Sequence, residues 1–399
     1  MNPLLRNLQP YPFQKLSHLL EGITANASLA PINLHIGEPK HETPAFILTE
    51  LAKNLHGVAN YPTTLGSKWL RASIATWLAQ RYQLTAIDPE TEIIPVNGSR
   101  EALFAFAQTV INSKTPEQPI VVCSNPFYQI YEGAALLAGA QPYFLNASAE
   151  QDFALNYEQL PEAIWSRTQL IYVCSPNNPT GRVMTLDEWQ HLFELSDRYG
   201  FVIASDECYS EIYFDEHTPP LGALQAAQQL GRNKFTRLVV FSSLSKRSNV
   251  PGLRSGFVAG DAAILKDFLL YRTYHGSAMN PAVQAASTIA WSDEQHVMEN
   301  RRIYQEKFKD ALAILNECML AKMPDAGFYL WVKTPINDRD FTQKLYRDYN
   351  VIVLPGSYLG REAHGFNPGE NFVRIALVAP LAECSQAMQR IKACISQIH

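Results

Sequence analysis

The 399-residue chain has few cysteines, no cationic surplus and no long apolar run, and each shortage removes a class of function. Its six cysteines, at 123, 174, 208, 318, 384 and 394, form no CxxC pair. Neither a zinc knuckle nor a disulfide framework is expected, and the thiols read as reduced and buried. The ten histidines show no HExxH or similar ligand spacing, so no catalytic metal is expected. Lys plus Arg number 33 against 38 Asp plus Glu, a formal net charge of −5. That balance argues against an electrostatic nucleic-acid binder. No apolar run approaches the roughly 18 residues of a membrane span. The stretch from Met1 to Pro10 lacks a charged segment followed by an apolar one and a small-residue cleavage site. The expectation is a cytoplasmic chain with no nucleic-acid or membrane partner.

What is present is ordinary globular composition, 47% hydrophobic and 18% charged. At roughly 150 residues per domain the length suits two or three domains with a sizeable core. Pro3, Pro10 and Pro12 predict a non-helical arm over the first dozen residues. A short strand then starts at Ile32 and breaks into a loop at Gly37 and Pro39. Residues 66–82 read as a helix with Leu70, Ile74, Trp77 and Leu78 on one face. Seven short apolar runs follow, at 93–96, 120–123, 142–145, 170–174, 201–205, 238–241 and 256–259. Most are separated by helical stretches, one of which opens with a Thr185-x-x-Glu188 capping box and stops at Gly200. Near-continuous apolar strands between helices predict an α/β domain over 45–280, its seven-stranded, mostly parallel sheet covered on both faces. Asn280-Pro281 reads as a helix start. It opens a long helical stretch towards Cys318 and a smaller α+β domain over 281–399, with strands at 328–332, 351–354 and 373–377. Residues 1–44 are expected to join that smaller domain, leaving a cleft as the ligand site.

Four features sit at the ends of those strands, where ligands bind in open α/β sheets. Asn97-Gly98-Ser99-Arg100-Glu101 lies between a strand and a helix and offers free N–H groups to an anion, although a serine there is more often a simple cap. Ser175-Pro-Asn-Asn178-Pro-Thr-Gly181 is rich in turn residues, but Asn178 before a proline is extended and can project its amide. Asp206 ends the apolar run from Phe201, either as a helix cap or as a carboxylate for a cationic ring nitrogen. Glu207 beside it points the other way and reads as structural. Lys246, among Ser242, Ser243 and Ser245, is a lysine at a buried strand end, where desolvation favours the nucleophilic free amine needed for Schiff-base chemistry. Arg254, eight residues on, offers a fork for a phosphate.

The four together resemble the class I/II, fold-type I aminotransferases that use pyridoxal 5′-phosphate, and the resemblance covers essentially the whole chain. It implies that Lys246 carries the cofactor and shuttles the proton, that Asp206 pairs with the ring nitrogen, and that Asn178 and Tyr209 meet the ring hydroxyl. Ser99, Arg100 (by its backbone), Ser243 and Arg254 become phosphate ligands. Tyr128 stacks on the ring, Arg374 takes the substrate α-carboxylate, and Gly37 flanks the substrate. Tyr61, in Tyr61-Pro-x-x-x-Gly66, becomes the tyrosine that reaches the neighbouring subunit's phosphate, implying a homodimer with shared sites. Longer strings, including Asn125-Pro-Phe-Tyr-Gln-Ile-Tyr-Glu-Gly133 and Ser205-Asp-Glu-Cys-Tyr-Ser-Glu-Ile-Tyr213, resemble bacterial N-succinyldiaminopimelate aminotransferases of lysine biosynthesis. They imply N-succinyl-LL-2,6-diaminopimelate and 2-oxoglutarate as substrates. Lys40, His41, Arg100 and Arg247 are the candidate cations for the long acidic arm of that substrate. Other aminotransferase specificities (N-acetylornithine, aspartate or aromatic), a lyase or aminocyclopropane-forming enzyme on the same fold, and a regulatory aminotransferase-like domain are the alternatives.

Overall fold

A computed structural model describes residues 1–398. A two-residue strand, β1 (Ile32–Asn33), precedes the seven strands of the main sheet. These are β2 (Ile93–Val96), β3 (Ile120–Asn125), β4 (Gln141–Asn146), β5 (Thr168–Cys174), β6 (Val202–Asp206), β7 (Leu238–Ser243) and β8 (Gly256–Gly260). Their order is β2-β8-β7-β6-β5-β3-β4. Only β8 runs against its neighbours, pairing antiparallel with β2 and β7. That reversal decides the site, because the N-terminal end of β8 lies on the same edge as the C-terminal ends of the others. Gly256 sits opposite both Val96 and Ser243.

Alternate strand residues enter two apolar layers, as a sheet covered on both faces requires. Ile93, Ile171, Val173, Ile203, Val240 and Phe257 pack against helices Lys68–Tyr82, Leu186–Tyr199 and Pro281–Ser292. Ile94, Tyr172, Ala204, Val239, Phe241 and Val258 pack under helices Ser99–Val110, Ile130–Leu137 and Ala262–His275. The capping box at Thr185 and the left-handed Gly200 bound their helix as predicted. Asn280 caps the helix that begins at Pro281.

A second unit is built on the antiparallel sheet of β9 (Tyr329–Lys333), β11 (Leu354–Pro355) and β12 (Phe372–Ala376), with β10 (Val351–Ile352) alongside. β1 pairs parallel with β10, and Ile32 and Leu34 enter the same apolar cluster as Leu330, Val332, Val373 and Met388. The N-terminal segment is therefore packed on this unit.

Three expectations need correction. The first residues are not an irregular arm: Pro3–Asn7 is a 3₁₀ turn whose start is closed by the Asn2 side chain accepting from Leu4 N, and a helix follows over Pro12–Leu20. Proline at a first helical position starts a helix as readily as it breaks one. The stretch from Pro281 is two helices, Pro281–Ser292 and Gln295–Leu315, separated at Asp293 and Glu294. The first buries Ala286, Ala290 and Trp291 in the core of the large domain, so a boundary at 281 cuts through packed side chains. The second carries Phe308, Ala311 and Leu315 into the smaller unit.

Candidate active site

The shared edge of β2, β6, β7 and β8 opens into a cavity of about 580 Å³ between the two units. Ser99, Arg100, Tyr128, Asn178, Asp206, Tyr209, Ser243, Lys246 and Arg254 line it from the large domain. Arg374, Tyr329 and Gly37 close it from the other side. Eleven of the twelve anticipated residues have thus been gathered from strand ends far apart in sequence, with Gly37 and Arg374 among them.

Tyr61 is the exception. It is fully exposed and lies beside Asn60, Pro62 and Asn280, outside this cavity.

Each group has a definite setting. Asp206 is buried, its Oδ2 accepting from Tyr131 Oη at 2.7 Å and its Oδ1 from Cys208 N at 3.3 Å. Burial raises its pKa, opposed by those hydrogen bonds and by the Lys246 charge. It caps no helix; the chain turns after it. Glu207 does face away, as predicted: its carboxylate accepts from Tyr82 Oη, Ser205 Oγ and Ala223 N. Lys246 Nζ donates to Gly37 O at 2.5 Å and lies 5.3 Å from the centre of the Phe328 ring. Burial lowers its pKa to about 8, with Arg374 and Arg100 pushing the same way against Cys208 and Glu38.

Near the sheet edge the lining is shaped for a small anion. The helix Ser99–Val110 points its N-terminus into the cavity, where unpaired N–H groups and the dipole favour negative charge. Gly98, not Ser99, is its cap, at φ +86°. A Cβ on Gly98 would lie 2.2 Å from Arg254 Nη2, so only glycine lets that guanidinium approach. Cys208 Sγ donates to Ser99 Oγ and accepts from Ser243 Oγ, drawing the two serines together.

Arg374 is buried with no carboxylate beside it among the described residues. Its Nη1 donates to Asn178 Oδ1 and its Nη2 to His35 O, both at 2.9 Å, while its Nε has no partner. Its guanidinium carbon lies 4.2 Å from the centre of the Tyr329 ring. A buried cation left in this state calls for an anionic ligand.

Of the four cations proposed for a distal substrate arm, only Arg100 lines the cavity. Its Nε donates to Tyr128 Oη at 2.6 Å, so the side chain and not only the backbone belongs to the site. Arg247 is buried between the Trp77 and Trp291 rings and bound to Glu294 and Ala290 O. His41 bridges Asn300 and Lys307, and burial lowers its pKa to about 4. Lys40 pairs with Glu38. A position next to a motif in sequence did not place these side chains in the cavity.

Three further residues were not singled out from sequence. Tyr131, three residues after Tyr128, orients Asp206 while its ring stacks on Tyr172. Tyr329 hydrogen-bonds Tyr209 Oη at 3.0 Å and stands where a Cβ on Gly37 would come within 1.8 Å of its oxygen. Cys208 is the third. Strand alternation with the core residue Leu330 was the available signal for Tyr329; nothing comparable marked Cys208.

Comparison with known proteins agrees with this geometry. The sequence profile described as "Aminotransferase class I and II" matches residues 30–391. The chain belongs to that family. It is similar to an LL-diaminopimelate aminotransferase of Nitratidesulfovibrio vulgaris (strain DP4), at 31% identity with 97% of each chain covered. Its fold matches an aminotransferase from Neisseria meningitidis Z2491 with a TM-score of 0.95 at 54% identity, covering 98% of this chain and 99% of that one. A probable N-succinyldiaminopimelate aminotransferase from Thermus thermophilus matches with a TM-score of 0.82 at 25% identity, covering 96% and 100%. This aminotransferase therefore uses pyridoxal 5′-phosphate and acts on amino and keto acids. The glycine-lined anion site, the buried carboxylate and the lysine suit that cofactor's phosphate, ring nitrogen and aldehyde. No helix among the described residues is long and apolar enough to cross a membrane.

Proposed function

We propose that this aminotransferase moves the amino group between glutamate and a diaminopimelate-type substrate, N-succinyl-LL-2,6-diaminopimelate in the sharpest form, with 2-oxoglutarate as the keto partner. The observation that carries the amino-transfer reading is Lys246 Nζ on the short helical turn after β7, in one cavity with a buried carboxylate, an anion site and a buried arginine that pairs with no carboxylate among the described residues. The diaminopimelate reading rests on the kinds of relative just described and on the longer motif strings.

Bound pyridoxal 5′-phosphate supplies an aldehyde for the amino group and a ring that draws electrons from the breaking bond. The residues of the chain do the rest. Ser99, Ser243, Arg254 and the N–H groups at Ser99 and Arg100 hold the phosphate. Asp206 keeps the ring nitrogen protonated by a charge-assisted hydrogen bond out of water, and Tyr131 keeps Asp206 aimed. Asn178 and Tyr209 orient the ring hydroxyl, and Tyr128 covers the ring face. Arg374 grips the substrate α-carboxylate in a bidentate pair, with Asn178 and Tyr329 fixing its fork. Lys246 Nζ would hold the cofactor and, as a free amine in the cavity, would move the proton to and from the substrate α-carbon. Tyr61 completes the phosphate site of a second copy in a homodimer.

A side-by-side assay decides the substrate, with 2-oxoglutarate as acceptor and kcat/KM measured for N-succinyl-LL-diaminopimelate, LL-diaminopimelate, N-acetylornithine, aspartate and phenylalanine. A clear preference for the succinylated compound is expected. Preference for free LL-diaminopimelate moves the enzyme to the specificity named for its Nitratidesulfovibrio relative. Preference for any of the last three refutes the diaminopimelate reading and leaves the amino-transfer chemistry standing.

A further inference from the structure

Behind the Lys246 turn, outside the cavity, lies a buried polar cluster that the mechanism leaves unused. Lys307 and Asn300 reach into it from the helix Gln295–Leu315, and both are buried. His41 stands between them. Lys307 pairs with no carboxylate among the described residues, an unusual state for a buried cation. Its protons are nonetheless placed: Nζ donates to His41 Nε2 at 2.6 Å and to Leu377 O and Val378 O at 3.3 Å each. Burial lowers its pKa to about 8, so the charge persists near neutrality. An ammonium can only donate, which makes His41 Nε2 the acceptor and leaves the ring proton on Nδ1. That N–H donates to Asn300 Oδ1 at 2.7 Å. Asn249 Nδ2 donates to the same oxygen at 3.1 Å, so the Asn300 amide can face only one way. Its Nδ2 then donates to Lys246 O at 3.2 Å and Arg247 O at 3.4 Å. These are the last carbonyls of the short turn Leu244–Arg247, which has no further turn to satisfy them. The Tyr304 ring packs on the imidazole, 4.5 Å between centres, and lies 5.1 Å from Lys307 Nζ.

Resting on the role proposed above for Lys246, we propose that Lys307, His41 and Asn300 are a relay of positioning residues that sets this lysine for proton transfer from outside the cavity. The Lys307 charge fixes the His41 tautomer, the tautomer fixes the Asn300 amide, and the amide holds the main chain from which Nζ reaches the substrate. The far end of the lysine is held by the same stretch of chain. His41 follows closely on Gly37, whose carbonyl accepts from Lys246 Nζ, and on His35, whose carbonyl accepts from Arg374 Nη2. The segment from His35 to His41 thereby sets the lysine against the arginine that takes the substrate carboxylate. Lys307 ties that segment to Leu377 and Val378, just beyond β12, the strand that carries Arg374. Proton transfer between held atoms is sensitive to small displacements: a shift of about 1 Å can cost about 100-fold in rate.

The test uses the cofactor-loaded enzyme, glutamate with hydrogen or deuterium at its α-carbon, and single turnovers followed by stopped-flow absorbance. Asn300→Asp keeps an oxygen to accept from His41 and Asn249 and loses the donors to the Lys246 turn. It is expected to slow the half-reaction about tenfold or more, with a deuterium effect no smaller than that of wild type, because proton transfer is the step that suffers. Binding of 2-methylglutamate, which has no α-proton to give, is expected to stay within about threefold of wild type by absorbance titration. His41→Phe is expected to match Asn300→Asp, and the two together to cost less than the product of the single effects. His41→Asn keeps a donor where Nδ1 stands and should retain more of the rate than His41→Phe. Lys307→Met leaves the His41 tautomer free and should slow the half-reaction in the same sense. Thermal unfolding and cofactor content are followed alongside; if His41→Phe does not fold, Asn300→Asp and His41→Asn carry the comparison. A wild-type rate in Asn300→Asp or in Lys307→Met overturns the proposal. So does a slower rate whose deuterium effect shrinks, or 2-methylglutamate binding that falls in step with the rate, either of which marks a merely structural role. Lys246→Ala separates the underlying reading: turnover retained in that variant removes the role of Lys246 itself.

Discussion

Burial of Lys246 makes a quantitative prediction about how the cofactor is captured. Only the neutral amine attacks an aldehyde, and an ordinary lysine is almost fully protonated near neutrality. Burial lowers the Lys246 pKa from 10.5 to about 8. The neutral fraction at pH 7 then rises from about 0.0003 to about 0.1, a gain of about 300-fold. Cofactor-free enzyme mixed with pyridoxal 5′-phosphate should therefore bind it covalently at a rate that climbs about tenfold per pH unit up to pH 7 and levels off above about 8. Stopped-flow absorbance measures the rate, and mass spectrometry after borohydride reduction locates the modified residue. Because Arg374 and Arg100 both push the pKa down, Arg374→Gln should move the inflection upward. A linkage consequence follows with definite sign. The folded, cofactor-free protein gives up this proton before the unfolded chain does, so the Lys246 contribution to stability improves as pH rises from about 8 to 10.5. Lys246→Met should consequently stabilise the cofactor-free protein at pH 7, with a gain that shrinks towards pH 10.5. An inflection above pH 10, or covalent capture at another lysine, would refute the reasoning.

Asp206→Asn should bind cofactor less tightly and slow both half-reactions by at least about 100-fold, the low end of a general acid–base contribution; unchanged single-turnover rates would remove the role given to Asp206. Tyr131→Phe leaves Asp206 Oδ2 short of a donor and should cost about 1.5–3 kcal/mol in cofactor binding or in the barrier, read by equilibrium titration and single-turnover kinetics. Gly37→Ala places a methyl 1.8 Å from Tyr329 Oη and should lower kcat/KM at least about tenfold, and adding Tyr329→Phe should recover part of it, a coupling that a double-mutant cycle detects. Mixing Tyr61→Phe with Lys246→Ala chains, each impaired alone, should restore activity through one hybrid site; sedimentation showing fully active monomers at assay concentration sinks the shared-site arrangement.

The amino-acid sequence by itself determined the sheet and much of the cavity. The strands were legible because a strand buried on both faces must be apolar throughout, and each of the seven runs coincides with an observed strand, give or take a residue or two at its ends. The cap at Thr185, the stop at Gly200 and the start at Asn280 were legible because capping is chemistry within four residues. Lys246, Asp206 and Asn178 were legible as chemistry at strand ends, and the ordered spacing through Arg254 made the family recognisable.

Tertiary structure alone decided which side chains face one another. The antiparallel turn of β8 is what carries Arg254 to the same edge as Lys246. No local pattern separates Arg100, which enters the cavity, from Arg247, which lies beside Lys246 in sequence and points into a tryptophan pair on the other side. Neighbouring residues on a short helical turn point in widely different directions, so adjacency in sequence says little about shared surroundings. The same reason hid Tyr131 and Tyr329: each acts through a hydroxyl that meets its partner across 75 and 120 residues of chain. Tyr61 marks the limit of one folded chain: it is exposed and outside the cavity, and the role proposed for it lies at the phosphate of a second copy.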